Sequence, residues 1–381
     1  MAHVGFKVMD SDMHVMEPAD LWVRCIEPEF RDQAPRGTHK FATDVHLEHE
    51  GRLISRREKQ NPYEAELTDD FATAYGRTQI FDEYERRGWG PDTQIEAMDK
   101  EGIDVAVLFP SLGLFAHAKE YESNRLAAAI SRAYNNWLAE FCSYAPARMY
   151  GAALLAAQDV KAAVAEVRRA KQGLGFKAVF LRPNPVLRRN WHDPAYDPLW
   201  AECEKQDMAV GFHEGLPCAL PVAMADRFDG RYEDLWTTEH VACHPVEQMY
   251  ACLSMIMGGV LERFPGLRVA FLEGNCSWLP FWLWRMTEHY EHRERALKKR
   301  LPLSPTEYFK RQCYAGVEAD EGIAKYVFDW MGNSNIVFST DYPHPDSRFP
   351  GSVKTLVEQP FSEDSKRKVL WDNCARLYNF A

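Results

Sequence analysis

The sequence predicts an α/β fold, a (β/α)8 TIM barrel spanning residues 1–381 as one metal-dependent unit, with long insertions after strands 1 and 5. Three observations predict it. Eight short apolar runs recur along the chain, segments of helical periodicity separate most of them, and four runs end in a histidine or a carboxylate. Strands alternating with helices imply parallel βαβ units, and eight such units suit a closed barrel. The other candidate is an open doubly wound sheet, but no GxGxxG follows the first run to favour it.

The runs can be taken in order. The first, FKVMDSDMH, closes on Asp12 and His14. Strand residues alternate faces, so both side chains point to one side, which in a barrel is the interior. DVAVLFP, MYGAALL and KAVFLRP follow. Between the last two, Val160, Ala163, Val164 and Val167 repeat at helical spacing, and Gly173-Leu174-Gly175 ends that helix. The fifth run, AVGFHEG, carries His213. A helix over Val246, Met249, Tyr250, Leu253, Val260 and Leu261 stops at Phe264-Pro265-Gly266. RVAFLEG then brings Glu273, QCYAGVE is the seventh run, and NIVFSTDYP brings Asp341.

Two segments break this rhythm, residues 27–93 and 216–245. Both follow strand C-termini, the end of a barrel that carries the active site, so both are expected to cover its mouth. The net charge of −11 and the lack of a dense basic run exclude nucleic acid as an expected partner. No apolar stretch is long enough for a membrane span. The nine cysteines are scattered without a CxxC pair, and charge comes too early for a secretory signal; both favour reduced thiols in the cytoplasm. Oligomeric state is nearly silent in the sequence, and a homo-oligomer is allowed.

Asp12, His14, His213, Glu273 and Asp341 come from four separated segments to one barrel face. Any one has an ordinary explanation: a turn-forming Asp, a satisfied core His. Four strand ends together point to a shared metal site, because mixed imidazole and carboxylate ligands hold first-row metals. One ion with an open position needs three or four protein ligands. With His240 and His244 in the second cover segment, and Glu17 within reach, the surplus predicts two ions. Ligand softness allows iron, manganese or zinc. Glu273 and Asp341 are the expected catalytic carboxylates. His289 and His292 lie in a charged helix pattern and are expected to be solvated.

The strings DSDMHVMEPADLW, FHEG, HPVEQM, GGVLERFPGLRVAFLEG, SWLPFWLWRM and FSTDYPHPD resemble the amidohydrolase-related barrels. That group includes metal-dependent hydrolases and the decarboxylases related to aminocarboxymuconate-semialdehyde decarboxylase. The resemblance runs from the first strand to the last. It implies a metal held by Asp12, His14, His213 and Asp341, and often an oligomer. Arg285 matches an arginine that binds substrate carboxylate in those decarboxylases. Where they carry a catalytic His after the sixth strand, this chain reads Leu272-Glu273-Gly274. With that change, the set Asp12, His14, Glu17, His240, His244 and Glu273 is similar to the branch containing the non-haem di-iron monooxygenase of platensimycin and platencin biosynthesis.

That resemblance implies two ferrous ions per chain, O2, an electron donor and an apolar, diterpenoid-like acid as substrate, carried as a coenzyme A thioester in some members. Trp278, Phe281, Trp282 and Trp284 would wall an apolar pocket, with Trp282 and Arg285 as substrate contacts; core packing and a surface ion pair are the plainer explanations. The alternative is a hydrolase or decarboxylase with one zinc or manganese; in a hydrolase Asp341 would serve as general base. A metal-stabilised binding protein is the third class.

Overall fold

A computed structural model describes residues 5–37, 47–54, 78–215, 220–221, 235–344 and 347–380. Among these, eight strands form one sheet in chain order: β1 (Met9–Val15), β2 (Val105–Pro110), β3 (Met149–Leu154), β4 (Ala178–Leu181), β5 (Ala209–His213), β6 (Val269–Leu272), β7 (Cys313–Val317) and β8 (Ile336–Phe338). Every neighbouring pair is parallel. Almost every strand residue is buried, because the lumen lies on one side and helices on the other. Burial on both faces explains why the strands read as continuous apolar runs rather than alternating ones.

The ring closes between β1 and β8. Ser11 Oγ donates to the Phe338 carbonyl at 2.6 Å, and His14 N donates to the Tyr342 carbonyl at 2.7 Å. The pairing of β1 with β2 shifts register between Asp10 and Met13, where one extra residue bulges. Bulges re-aim side chains beside active sites, and this one carries Asp12.

The outer helices include α1 (Pro91–Glu101), α2 (Gly113–Ala116), α3 (Asn124–Cys142), α4 (Val160–Leu174), α5 (Asp197–Lys205), α6 (Leu235–Met257), α7 (Leu279–His292), α8 (Pro305–Gln312) and α9 (Ala324–Met331). Side chains cap the starts of three of them: Ser123 accepts from Leu126 N, Asp159 from Ala162 N, and Ser304 and Glu307 form a reciprocal capping box. Glycine permits one close approach in β3, where a Cβ on Gly151 would lie 2.6 Å from the Phe176 ring.

The cover segments differ from expectation. After β1, Arg36–Gly37, Leu47–His49 and Arg52–Leu53 make a small antiparallel sheet, and Thr78–Arg86 is helical. After β5, residues 235–245 are not loop: they are the first half of α6, which continues through Pro245. Residues 38–46, 55–77, 216–219 and 222–234 of the two segments lie outside the described residues.

Candidate metal centre

The barrel brings Asp12, His14, His213, Glu273 and Asp341 to one end, and α6 lays His240 and His244 over them. Each element has a reason to present its group there. Asp12 and His14 are on the bulged β1, and His213 is the last residue of β5. Glu273 and Asp341 lie just past β6 and β8 with φ of 45° and 55°. Left-handed backbone is uncommon outside glycine, and its cost is typically borne at functional sites. Gln248 of α6 donates to the Phe212 and Leu272 carbonyls at 3.0 and 2.7 Å. That clamp sets His244, one turn earlier, above the ends of β5 and β6.

Two imidazoles face each other across the centre. His14 Nδ1 lies 2.8 Å from the Pro110 carbonyl and His213 Nδ1 lies 2.6 Å from the Glu214 carbonyl. Each carbonyl requires a proton on Nδ1, so Nε2 is the atom turned inward on both rings. The two Nε2 atoms are 3.1 Å apart. Around them stand Asp12 Oδ1 and Asp341 Oδ1, 3.5 and 3.2 Å from His14 Nε2, and Asp12 Oδ2 and Glu273 Oε2, 3.3 and 3.2 Å from His213 Nε2. Glu273 Oε2 is also 3.2 Å from His244 Nε2, and Oε1 is 3.7 Å from His240 Nε2.

Both oxygens of Asp12 and Nδ1 of His244 are buried without a hydrogen-bond partner. Orphaned buried polar atoms are costly, and lone pairs converging with no hydrogen between them suit a cation. The electrostatics agree. Burial alone would lower the His213 pKa, but Asp12, Glu273 and Asp341 raise it to about 10. Burial would raise Asp341 as well, yet His344 and His14 hold it at about 2, and His244 and His213 hold Glu273 well below the carboxylate range. Burial and the neighbouring His344 lower His14. Three carboxylates thus concentrate negative charge in a closed space, and the residues fit a divalent ion.

A cavity of about 110 Å³ adjoins the centre, bordered by Glu318, Ser339, Asp341 and Arg348. A larger one, about 660 Å³, lies against Trp191, His192, Tyr250 and Met257, and none of the candidate ligands lines it. Chemistry, not volume, marks the centre.

Three residues singled out in the sequence stand elsewhere. Glu17 is buried, but its carboxylate accepts from the amides of Ser111, Leu112 and Gly113 at 3.2, 2.9 and 2.9 Å, so it caps that turn and joins none of the ligand groups. Arg285 is half-exposed and pairs with Glu288 at 2.8 Å. Trp282 is partly buried and donates to the Met249 carbonyl at 2.8 Å. The sequence reading also missed His344. Its Nδ1 lies 2.8 Å from Asp341 Oδ1 and its Nε2 lies 2.9 Å from Ser111 Oγ. Its place three residues after Asp341 was the available signal.

Residues 10–380 match the amidohydrolase family. The chain belongs to this family. Among curated relatives of this amidohydrolase, the 2-amino-3-carboxymuconate-6-semialdehyde decarboxylase of Dictyostelium discoideum is 29% identical over 297 residues, 77% of this chain and 78% of the relative. An amidohydrolase structure from Mycobacterium avium subsp. paratuberculosis K-10 superposes with a TM-score of 0.77 at 21% identity, covering 99% of this chain and all of the other. The 5-carboxyvanillate decarboxylase of Novosphingobium aromaticivorans, solved with manganese and a nitrobenzoic acid, gives 0.67 at 20% identity, covering 100% and 98%. These likenesses show the barrel.

They also correct the expected activity. Relatives matched by sequence are named as decarboxylases, γ-resorcylate decarboxylases among them, and not as oxygenases. Loss of CO2 consumes neither O2 nor electrons, so the di-iron monooxygenase, its O2 and its electron donor are withdrawn. The surplus of ligand residues that prompted that expectation counts ligands; it does not select a reaction. Among the described residues no helix is long and apolar enough to cross a membrane.

Proposed function

We propose that the protein is a metal-dependent, non-oxidative decarboxylase of a small aromatic or unsaturated carboxylic acid. The observation that carries this reading is the buried group Asp12, His14, His213 and Asp341, with its orphaned carboxylate oxygens, in a chain whose relatives are decarboxylases. These four residues would hold one manganese or zinc ion. When bound, the ion supplies charge and Lewis acidity that orient and polarise the substrate's oxygen substituents. Burial around the centre keeps bulk water away, which strengthens each electrostatic contact.

Asp341 is the proton carrier in this reading. Its carboxylate borders the small cavity and is held ionised by the imidazoles of His344 and His14. A proton delivered to Asp341 Oδ by a hydroxyl or carboxyl group of the substrate would be passed on to the carbon that loses CO2. The substrate carboxylate leaves as CO2 and a C–H bond replaces the broken C–C bond.

The finer metal count is part of the proposal. His240, His244 and Glu273 form a second group of ligand atoms within 4.8 Å of one another, and Glu273 also joins His213 and Asp341 in another. Glu273 lies between the two imidazoles of His213 and His244, as a shared ligand of two divalent ions would.

Hydrolysis is the second reading, favoured by Glu273 standing where the resembling decarboxylases carry a histidine. Asp341 would then take a proton from water. The test is a panel assay with manganese- and zinc-loaded protein. CO2 release from hydroxybenzoates or carboxymuconate semialdehydes supports decarboxylation; ester or amide cleavage without CO2 supports hydrolysis and refutes it.

A homo-oligomer is supported by exposed Phe281 and Trp284 on α7, with Tyr326 and Trp330 on α9, two helices in contact. Contiguous apolar surface of this kind marks protein interfaces. Trp284→Asp is expected to shift the protein to a smaller species in light scattering. The described cysteines are all free thiols, in keeping with a reducing compartment such as the cytoplasm.

A further inference from the structure

His344 belongs to none of the strand ends, yet it is buried among the ligands. Ser111 Oγ, His344 Nε2, His344 Nδ1 and Asp341 Oδ1 follow one another with gaps of 2.9 and 2.8 Å. Serine, histidine and aspartate in this order have the spacing of a nucleophilic triad. The surroundings exclude that role. Ser111 is fully buried, and the amides of Ser111, Leu112 and Gly113, which would have to meet an oxyanion, already donate to Glu17.

The same contacts make a support. Glu17 fixes the turn 111–113, the turn fixes the Ser111 hydroxyl, and that hydroxyl engages His344 Nε2. With that hydroxyl as donor, Nε2 accepts and the ring proton sits on Nδ1, the atom nearest Asp341 Oδ1. The His344 ring also packs on the His14 ring, centroids 4.0 Å apart and tilted by 33°, so it has little freedom to turn. His344 N donates to the Asp341 carbonyl at 2.9 Å, which closes the turn carrying both side chains.

We infer that His344 is a positioning residue for Asp341, held in place by Ser111 and, behind it, by Glu17. The inference rests on the metal-dependent reading above. His344 would fix the orientation of the Asp341 carboxylate beside the cavity, as outer partners of metal ligands generally do.

The test is Mn2+ affinity, measured without substrate by competition with a fluorescent chelator, for wild type, His344→Ala, His344→Asn and Ser111→Ala. His344→Ala is expected to bind about 10- to 100-fold more weakly. Ser111→Ala should weaken binding less, and His344→Asn, whose amide nitrogen can occupy the place of Nδ1, should restore most of the loss. Wild-type affinity in both alanine variants would overturn the inference, and so would an asparagine variant no better than alanine. Crystal structures of wild type and His344→Ala give the second readout: a rotated Asp341 carboxylate is expected, and an unmoved one counts against the role. If wild type binds no divalent ion, the metal reading fails, and the Asp341 rotamer alone then decides the positioning role. Should His344→Ala fold poorly, Ser111→Ala carries the same comparison.

Discussion

Arg182→Met is expected to be among the most damaging single changes outside the ligand set. Arg182 follows β4 and is almost fully buried. Its guanidinium pairs with Glu214 and the Gly215 carbonyl, and it donates to Asn184 Oδ1 at 3.0 Å and to the Leu114 carbonyl at 2.9 Å. Glu214 is fully buried, and its Oε2 has no hydrogen-bond partner. Removing Arg182 therefore strands a charge. Breaking a buried pair from one side costs roughly 3–5 kcal/mol. The carbonyls and the amide left behind add on the order of 1 kcal/mol, since each retains other contacts. The expected loss is about 5 kcal/mol at neutral pH. The double variant Arg182→Met with Glu214→Gln removes the stranded charge and should recover about half of it. Denaturant titrations of wild type, single and double variants read these differences. Metal affinity should fall with stability, because the Glu214 carbonyl that Arg182 helps to place is the partner of His213 Nδ1. A single variant within about 1 kcal/mol of wild type, or a double no more stable than the single, would refute the reasoning.

Other outcomes are expected elsewhere. His14→Ala and Glu273→Ala should each lower bound metal as well as activity, read by elemental analysis; full metal in both variants removes the ligand assignment. Glu17 has its pKa raised by burial from 4.5 to about 7, only partly opposed by the amides it caps. A raised acid holds its proton more tightly folded than unfolded. Stability should therefore fall as pH rises from about 4.5 to 7, by up to about 3 kcal/mol, and Glu17→Gln should flatten that slope in denaturation measured across this range. Gly151→Ala should cost about 1–3 kcal/mol through the clash with Phe176 while metal content stays unchanged, and an unaltered melting temperature would show that the ring yields.

The barrel was legible because a strand buried on both faces must be largely apolar, as most of the eight runs are; β1, with Asp10, Ser11, Asp12 and His14, is the exception. The ends were legible because a His or carboxylate that terminates such a run has few reasons to be there. Glu17 was not distinguishable from a ligand: a buried carboxylate near β1 reads the same whether an ion or three amides receive it. The difference lies in a turn 94 to 96 residues away. His344 was obscured likewise, since its anchor Ser111 is 233 residues distant and meets it only when the barrel closes. Arg285 was open to a phase argument. Leu279, Leu283, Met286 and Tyr290 set the buried side of α7, and Arg285 falls off that side. The resemblance to the decarboxylases had placed it at the substrate, with a surface ion pair as the plainer explanation.

Charge gives the strongest reason to settle the number of ions. Asp12, Glu273 and Asp341 bring three carboxylates into one buried centre, and His14 is kept neutral by its surroundings. One divalent ion leaves a negative charge uncompensated, and burying such a charge is costly. Two divalent ions leave the centre with a net positive charge, which an incoming carboxylate would neutralise. The two cases differ in a measurable way. If both positions fill, a benzoate-type inhibitor should bind markedly tighter after the second equivalent of manganese than after the first. If only one position fills, the second equivalent should leave inhibitor affinity unchanged.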